Sequence, residues 1–337
     1  MNLSDNIAGK ALVTGASGFV GGRLKQALLD AGVDVVTIRR PSSAPLAGPE
    51  PRACRSLVAD YADREALARV MRDERPDYVF HVAGATKGVS YDDFARANVM
   101  PTENLVRALE AEHRGVRRFV LVSSLAAFGP SEPGRPHGSE SLPRPIEHYG
   151  KSKLEAEEGL ARLADAVPWT IVRPAGVYGP GDVDYFNLFR EVARGRNVYF
   201  GNADRWFSAV YVDDCVRAIV GAAVAETAVG KGYFVCDGVP VTWRQFQEAI
   251  VAASGREVMT LDLPELLVDV AAFFGELATK IDKRPRLFNK QKAIMGAQSA
   301  WTCGHDAARE DFGYTPAVPL EEGVAASLAW YRAEGWL

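Results

Sequence analysis

Much of what would mark other protein classes is missing from this chain of 337 residues. Its four cysteines, Cys54, Cys215, Cys236 and Cys303, are scattered with no C-x-x-C pair, which argues against a structural zinc site and against a disulfide framework. Reduced thiols of this kind fit a cytoplasmic protein. No basic excess is present: the formal net charge is −4, and Arg39-Arg40 and Arg117-Arg118 are pairs rather than tracts, so no nucleic-acid partner is expected. The longest apolar stretch, Leu266 to Phe274, contains Asp269 and is too short to span a bilayer, so no membrane partner is expected. The opening Met1-Asn-Leu-Ser-Asp-Asn6 lacks the charged and apolar regions of a signal peptide. No repeat with a period of roughly 20–50 residues is visible, which sets solenoids aside. What remains, 47% hydrophobic and 24% charged, is ordinary for a soluble enzyme with a large core.

Apolar strand-like runs alternate with helical patterns through the first half. The runs are Lys10–Ala16, Asp34–Arg39, Arg55–Asp60, Asp77–Ala83, Arg118–Ser124 and Trp169–Arg173. Helical periodicity falls at 20–31, 63–74, 92–113 and 149–165. This alternation predicts an α/β fold with a doubly wound parallel sheet, covered on both faces. Residues 1–180 form the expected nucleotide-binding domain, with segments near 207–237 returning to it. Residues 181–206 and 238–337 form a smaller, mainly helical lobe, with helices at 242–254, 264–280 and 320–334. Ala126 to His148 and Gly176 to Tyr185 read as long loops at strand ends, where ligands of open α/β sheets bind.

Two motifs carry chemistry. Between the first strand and helix lies Gly15-Ala16-Ser17-Gly18-Phe19-Val20-Gly21, with glycines spaced three and three. Gly15 allows a tight strand exit, Gly18 lets a pyrophosphate approach the backbone, and Gly21 lets the helix pack closely. The helix N-terminus offers free N–H groups and a positive dipole end to phosphate. In Tyr149-Gly-Lys-Ser-Lys153 a tyrosine stands four residues ahead of a lysine, one helical turn away on the same face. A nearby ammonium lowers a phenol's pKa from about 10 toward working pH. Such a phenol can pass a proton to or from a carbinol oxygen, as hydride chemistry requires. Other candidates have plainer readings beside the functional one. Ser123-Ser124 can be a turn or capping pair, Asp60 or Asp63 can cap a helix, and His81 within a strand fits a satisfied core histidine better than a ligand.

Together these residues resemble the extended short-chain dehydrogenase/reductases. Thr14 to Gly21, His81-Val-Ala-Gly84, Asn98, Ser123-Ser124, Tyr149 to Lys153 and Arg173-Pro174 follow the family's order. So do Gly176-Val-Tyr-Gly-Pro-Gly181, Val210-Tyr-Val-Asp-Asp214 and the late stretch from Trp301 to Pro316. The resemblance implies that Gly15, Ser17, Gly18, Phe19, Val20 and Gly21 cradle a pyrophosphate. It puts Asp60 and Tyr61 beside the adenine, and Ala83 and Gly84 along the adenosine side of the groove. Tyr149 would be the general acid/base, Lys153 would bind the nicotinamide ribose, and Ser124 would hold the substrate oxygen. Pro174 and Val177 would lie against the nicotinamide. No metal is implied. Relatives often pair the helices at 92–113 and 149–165 across a two-fold axis, so a homodimer is conceivable.

Cofactor choice turns on the end of the second strand. Arg39-Arg40 stand there in place of the acidic residue that binds the 2′-hydroxyl of NAD(H), and a guanidinium fork matches a 2′-phosphate. NADP(H) is therefore favoured over NAD(H). The small-molecule substrate is either a ketone or secondary alcohol on a bulky ring system, as in the 3β-hydroxysteroid and dihydroflavonol branches, or a nucleotide-sugar, as in 4-epimerases and 4-ketoreductases. Leu266, Leu267, Val270, Phe273 and Phe274 are candidates for an apolar pocket; Arg190, Arg194, Arg196 and Arg205 are candidates for a diphosphate. Leu125-Ala126-Ala127-Phe128 stands where a dehydratase would carry acidic residues, which counts against elimination. A non-catalytic nucleotide-binding regulator is the reading from another class, and the presence of both Tyr149 and Lys153 weighs against it.

Overall fold

The computed structural model describes residues 7–43, 53–266 and 290–337. Its centre is a parallel sheet of seven strands: β1 (Lys10–Thr14), β2 (Asp34–Arg39), β3 (Cys54–Val58), β4 (Tyr78–His81), β5 (Arg118–Val122), β6 (Trp169–Pro174) and β7 (Lys231–Val235). They lie in the order β7-β6-β5-β4-β1-β2-β3. The chain winds outward from β1 to β3, then returns to β4 on the other side of β1. That reversal opens a crevice at the carboxyl ends of β1 and β4, where Thr14 and His81 are register partners.

Alternate residues of the strands feed two apolar layers. Val13, Val35, Phe80 and Val120 face one side, against Leu24 and Leu28 of α1 (Phe19–Asp30). Leu12, Ile38, Val79 and Leu121 face the other, where α2 (Arg64–Glu74), α3 (Met100–Glu112) and α4 (His148–Leu163) supply Leu67, Leu105, Leu109 and Leu160. Period-two alternation explains why neighbours such as Leu12 and Val13 part to opposite faces. Asp63 caps α2 by accepting from the Ala66 N–H at 2.9 Å, and Asp60 accepts from the Ala62 N–H at 2.9 Å in the preceding turn.

Three features differ from the sequence expectation. The helical run expected over 92–113 starts at Tyr91 and passes through a π turn at Ala95–Val99 before α3. A helix absent from the periodic segments, α5 (Val212–Val224), packs on the sheet with Val216, Ile219 and Val220 fully buried. Its charges, Asp213, Asp214 and Arg217, all fall in its first half, and residues 218–224 are apolar throughout. The lobe also carries strands: Arg196–Phe200 pairs with Met259–Leu263, and Trp206–Phe207 pairs with Val241–Thr242 and Ala300–Trp301. Helices at Trp243–Ser254 and Leu320–Ala333 match expectation, packed through Phe246, Leu328 and Tyr331. The helix expected at 264–280, with its apolar pocket candidates beyond Leu266, lies almost wholly outside the described residues; Leu266 itself is exposed.

The start of β5 is held by a buried arginine. Arg118 Nη1 donates to Thr170 Oγ1 at 2.9 Å and to the Ala222 and Ala225 carbonyls at 3.1 Å, which end α5. The positive charge meets the negative end of the helix dipole. Among the described residues no helix is long and apolar enough to cross a membrane.

Candidate active site

The glycine loop is shaped by steric necessity. Gly15 has φ +71°, a left-handed conformation that side chains avoid, and a Cβ there would meet the Ala83 nitrogen at 2.7 Å. A Cβ on Gly21 would sit 2.2 Å from the Gly15 carbonyl oxygen, so α1 reaches the loop only because Gly21 has no side chain. Gly18 differs: its φ of −88° is extended, and its nearest neighbour would be the Gly15 carbonyl oxygen at 3.3 Å. It is the N-cap of α1, and no side chain caps the helix. Phe19, the first residue of the helix, lines an open groove together with Ser17, Gly18, Arg23, Pro180 and Gly181. This is a cradle for an anion.

Beneath the loop, Thr14 ties β1 to β4. Its Oγ1 lies 2.7 Å from His81 Nδ1 and accepts from the Ala83 N–H at 3.1 Å. His81 is fully buried, its Nε2 finds no partner among the described residues, and burial with the nearby Lys153 charge pushes its pKa down to about 3. It is a neutral core histidine, as its strand position suggested. Tyr61 belongs to the same layer: its ring meets His81 edge-on at 6.4 Å, and its hydroxyl donates to the Ile38 carbonyl at 3.4 Å while lying near Thr14 and Gly15. The phenol is pushed up to about 12, chiefly by burial. Tyr61 thus supports the loop from below, whereas Asp60 beside it is exposed. Arg39 ends β2 half-buried, and the exposed Arg40 is close enough to act on the Tyr61 hydroxyl.

Further along the crevice, Glu147 caps α4 with its carboxylate, accepting from the Tyr149 N–H at 2.6 Å, and so fixes the tyrosine on the first turn. Tyr149 is half-buried against Phe94, and its hydroxyl lies close enough to Ser124 to be influenced by it. Ser124 also caps the turn Leu125–Ala127 by accepting from the Ala126 N–H at 3.1 Å. The capping reading of Ser124 holds. Lys153 is buried one turn along α4, where its Nζ donates to the Val122 carbonyl at 2.7 Å and stands beside Gly84. Burial brings its pKa down to about 8, against the pull of Glu157. Pro174 ends β6, and Val177 lies in the short strand Gly176–Tyr178 that follows.

One expectation is overturned. The Tyr149 phenol is pushed up to about 12, not down: burial dominates, Glu147 and Asp184 add negative charge, and Ser124 alone opposes them. The i,i+4 spacing does place tyrosine and lysine on one helix, but the ammonium is engaged by the Val122 carbonyl. At neutral pH this phenol keeps its proton.

Asn98 is the residue whose role the sequence did not reveal. It sits in the π turn, buried. Its Oδ1 accepts from the Ala85 N–H at 2.8 Å, and its Nδ2 donates to the Ala85 carbonyl at 3.2 Å and to Ser152 Oγ at 2.8 Å. It clamps the loop after β4 to α4. A π turn often marks a functional site, yet it leaves no simple pattern in sequence.

The chain matches the NAD-dependent epimerase/dehydratase family over residues 11–236, and it belongs to that family, the extended short-chain dehydrogenase/reductases. Curated relatives include a 2-alkyl-3-oxoalkanoate reductase of Stenotrophomonas maltophilia, 28% identical over 94% of this chain and 97% of the relative. A 3-beta-hydroxysteroid dehydrogenase of Mycolicibacterium neoaurum is 29% identical over 96% of this chain and 91% of its own. Among solved structures, the UDP-glucose 4-epimerase of Thermotoga maritima superposes with a TM-score of 0.78 over 96% of this chain and 99% of that one, at 24% identity. That likeness carries the fold. The protein is an enzyme of the oxidoreductase/epimerase type.

Proposed function

We propose that the protein is an NADP(H)-dependent reductase acting on a ketone, or on the corresponding secondary alcohol, of a bulky apolar substrate, with Tyr149 as general acid/base. The observation that carries this reading is that Tyr149 and Ser124 come close enough to interact in the crevice, with Lys153 buried one turn along the same helix. The glycine cradle fits a dinucleotide: Gly15, Ser17, Gly18, Phe19, Val20 and Gly21 would take the pyrophosphate on uncapped N–H groups. Ala83, Gly84, Lys153, Pro174 and Val177 would lie along the rest of the cofactor. Bound there, the nicotinamide would supply or accept the hydride. Ser124 holds the carbonyl oxygen by hydrogen bonding, and Tyr149 gives that oxygen its proton as negative charge develops on it. Arg39 and Arg40, with no carboxylate at the end of β2, favour the 2′-phosphate of NADP(H).

The lobe's arginines bear on the substrate. Arg194 and Arg196 both pair with Glu191, at 3.1 and 2.6 Å. Arg205 pairs with Glu265 at 2.7 Å, and Arg190 donates to Asn187 at 2.7 Å while covering the Phe186 ring. These side chains are engaged within the lobe, which favours the ketone reading over one requiring a diphosphate clamp. The relatives named as reductases and dehydrogenases support the same side. A panel of ketosteroids, flavanonols, 3-oxoalkanoates and nucleotide-4-ketosugars, followed by loss of NADPH absorbance, tests it. Turnover of the apolar ketones is expected. Turnover of the ketosugars alone, or of nothing in the panel, overturns the reading.

A further inference from the structure

One stripe of α4 carries a line of polar groups that starts at the site and ends against the sheet. Tyr149, Lys153 and Glu157 are spaced four and four, so their side chains follow one another along the same helix face. Lys153 and Glu157 are both buried, at 4% and 5% exposure, one turn apart. Beyond Glu157 stands Arg173 of β6. Its Nε lies 3.1 and 3.0 Å from the two carboxylate oxygens, and its Nη2 lies 2.8 Å from Oε2. Arg173 follows Val172, the register partner of Val122, whose carbonyl accepts from Lys153 Nζ at 2.7 Å. Both cations are thus anchored at the same level of adjacent strands, with one buried carboxylate to share.

The guanidinium is itself held in place. It covers the Phe128 ring at 4.5 Å and the Phe234 ring at 5.5 Å, and a Cβ on Gly232 would meet its Nη2 at 2.5 Å. Phe128 closes the turn that Ser124 caps, its N–H donating to the Leu125 carbonyl at 2.9 Å. The other titratable groups around the ammonium among the described residues, His81 on β4 and Tyr149 on α4, are uncharged at neutral pH. The charge balance at Lys153 is therefore left to Glu157 and Arg173.

From this arrangement we infer that Glu157 and Arg173 are positioning residues of the site: Glu157 is the counter-ion of the Lys153 ammonium, and Arg173, by engaging both carboxylate oxygens, sets how much of that negative charge the ammonium feels. The inference rests on the reductase reading only where that reading gives the ammonium to the nicotinamide ribose. A buried amine without a counter-ion gives up its proton readily. Burial lowers Lys153 and Glu157 opposes it, so the amine titrates at about 8. Loss of the Glu157 charge and loss of the Arg173 charge must then move the lysine in opposite directions. A pair that only braced α4 to β6 would be damaged in the same way from either side.

Carbon-13 spectra of the full-length protein labelled at the lysine ε-carbons report this titration without cofactor or turnover, with the Lys153 signal assigned through Lys153→Met. Glu157→Gln should lower the Lys153 midpoint by about one pH unit, the low end of the effect of an opposite charge within about 4–6 Å. Glu157→Asp draws the carboxylate back and should shift the midpoint the same way by less. Arg173→Met should raise it. The order of the Glu, Asp and Gln forms remains readable even where Arg173→Met does not fold. A midpoint unmoved by Glu157→Gln, or moved the same way by Glu157→Gln and Arg173→Met, overturns the inference and leaves the pair as a brace. Calorimetric titration of NADPH into the same proteins tests the cofactor reading separately. A one-unit displacement leaves wild type and Glu157→Gln alike at pH 6 and makes the variant about fivefold weaker at pH 8, the ratio of the charged fractions. A midpoint that moves while NADPH affinity does not follow overturns the assignment of Lys153 to the ribose and leaves the inference standing.

Discussion

At the glycine loop, backbone sterics do the shaping: Gly15 takes a conformation that side chains avoid, and Gly21 admits a carbonyl where a Cβ would stand. At the tyrosine end, burial by packed neighbours does the shaping. It raises the Tyr149 phenol, with Glu147 and Asp184 adding and Ser124 opposing, and it lowers Lys153 against Glu157. The first region is a local property of seven consecutive residues. The second depends on which elements the fold brings together, so its protonation state could not follow from a four-residue spacing. Geometry was portable between sequence and structure; charge was not.

The sharpest way to break the comparison is at the tyrosine. Tyr149→Phe removes the proton donor and should lower turnover by a factor on the order of 10²–10⁴, with dinucleotide affinity little changed. Stopped-flow hydride transfer with a confirmed ketone reads this directly, and near-normal turnover would show that another group donates the proton. The glycines separate by role. Gly21→Val forces the loop off the helix and should cost roughly 1–3 kcal/mol of stability as well as cofactor binding. Gly18→Val, at an extended φ, should fold with a near-native melting curve yet bind NADP(H) more than about tenfold more weakly, because its side chain enters the phosphate space. Equal cofactor affinity in folded Gly18→Val would place the phosphates elsewhere.

His81 tests the charge side of the comparison in the core. Its folded pKa of about 3 lies below the unfolded value of 6.5, so the unfolded chain takes up a proton that the folded one refuses. The stability this contributes is fully present above pH 6.5 and is lost as pH falls toward 3, at about 1.4 kcal/mol per pH unit. Asp182 and Asp237, raised to about 6 and about 7 by burial, work in the opposite sense. The difference between wild type and His81→Gln is therefore the quantity to follow. Urea denaturation of both between pH 6 and pH 4 should show the variant losing stability less steeply; parallel curves would mean that His81 is protonated without penalty. The smallest effect is expected at the β2 end. Replacing Arg39 and Arg40 by Ala should weaken NADP(H) about tenfold or more and NAD(H) far less, as read by titrating both cofactors into both proteins. Equal losses would make the arginines general surface charges.

The fold was legible where periodicity is strong. β2 coincides with the expected Asp34–Arg39, and α1, α2 and α4 start and stop within two residues of expectation. Strand ends were overextended at Ala16, Ala83 and Ser124, because the residues that leave a strand to form the site remain small or apolar. β7 and α5 were visible only as a segment returning to the sheet, since the second half of α5 has no polar residue and a five-residue edge strand is too short to show a clear period. In the site, Gly15, Gly18 and Gly21 form the strand-to-helix turn their spacing suggested, and Tyr149 lies near Ser124. The direction of the Tyr149 shift and the burial of Tyr61 were not legible, because both depend on neighbours distant in sequence.

Arg118 imposes an order on the assembly of the chain. Its partners at Ala222 and Ala225 lie 104 and 107 residues downstream, so β5 must leave the ribosome with a guanidinium that the sheet is not yet able to house. Until α5 is synthesised, that charge keeps one end of the growing sheet hydrated and hinders the apolar layer from closing over it. The same contact that stabilises the finished molecule thus acts earlier as a brake on premature collapse. Docking of α5 then gives the guanidinium its carbonyl partners.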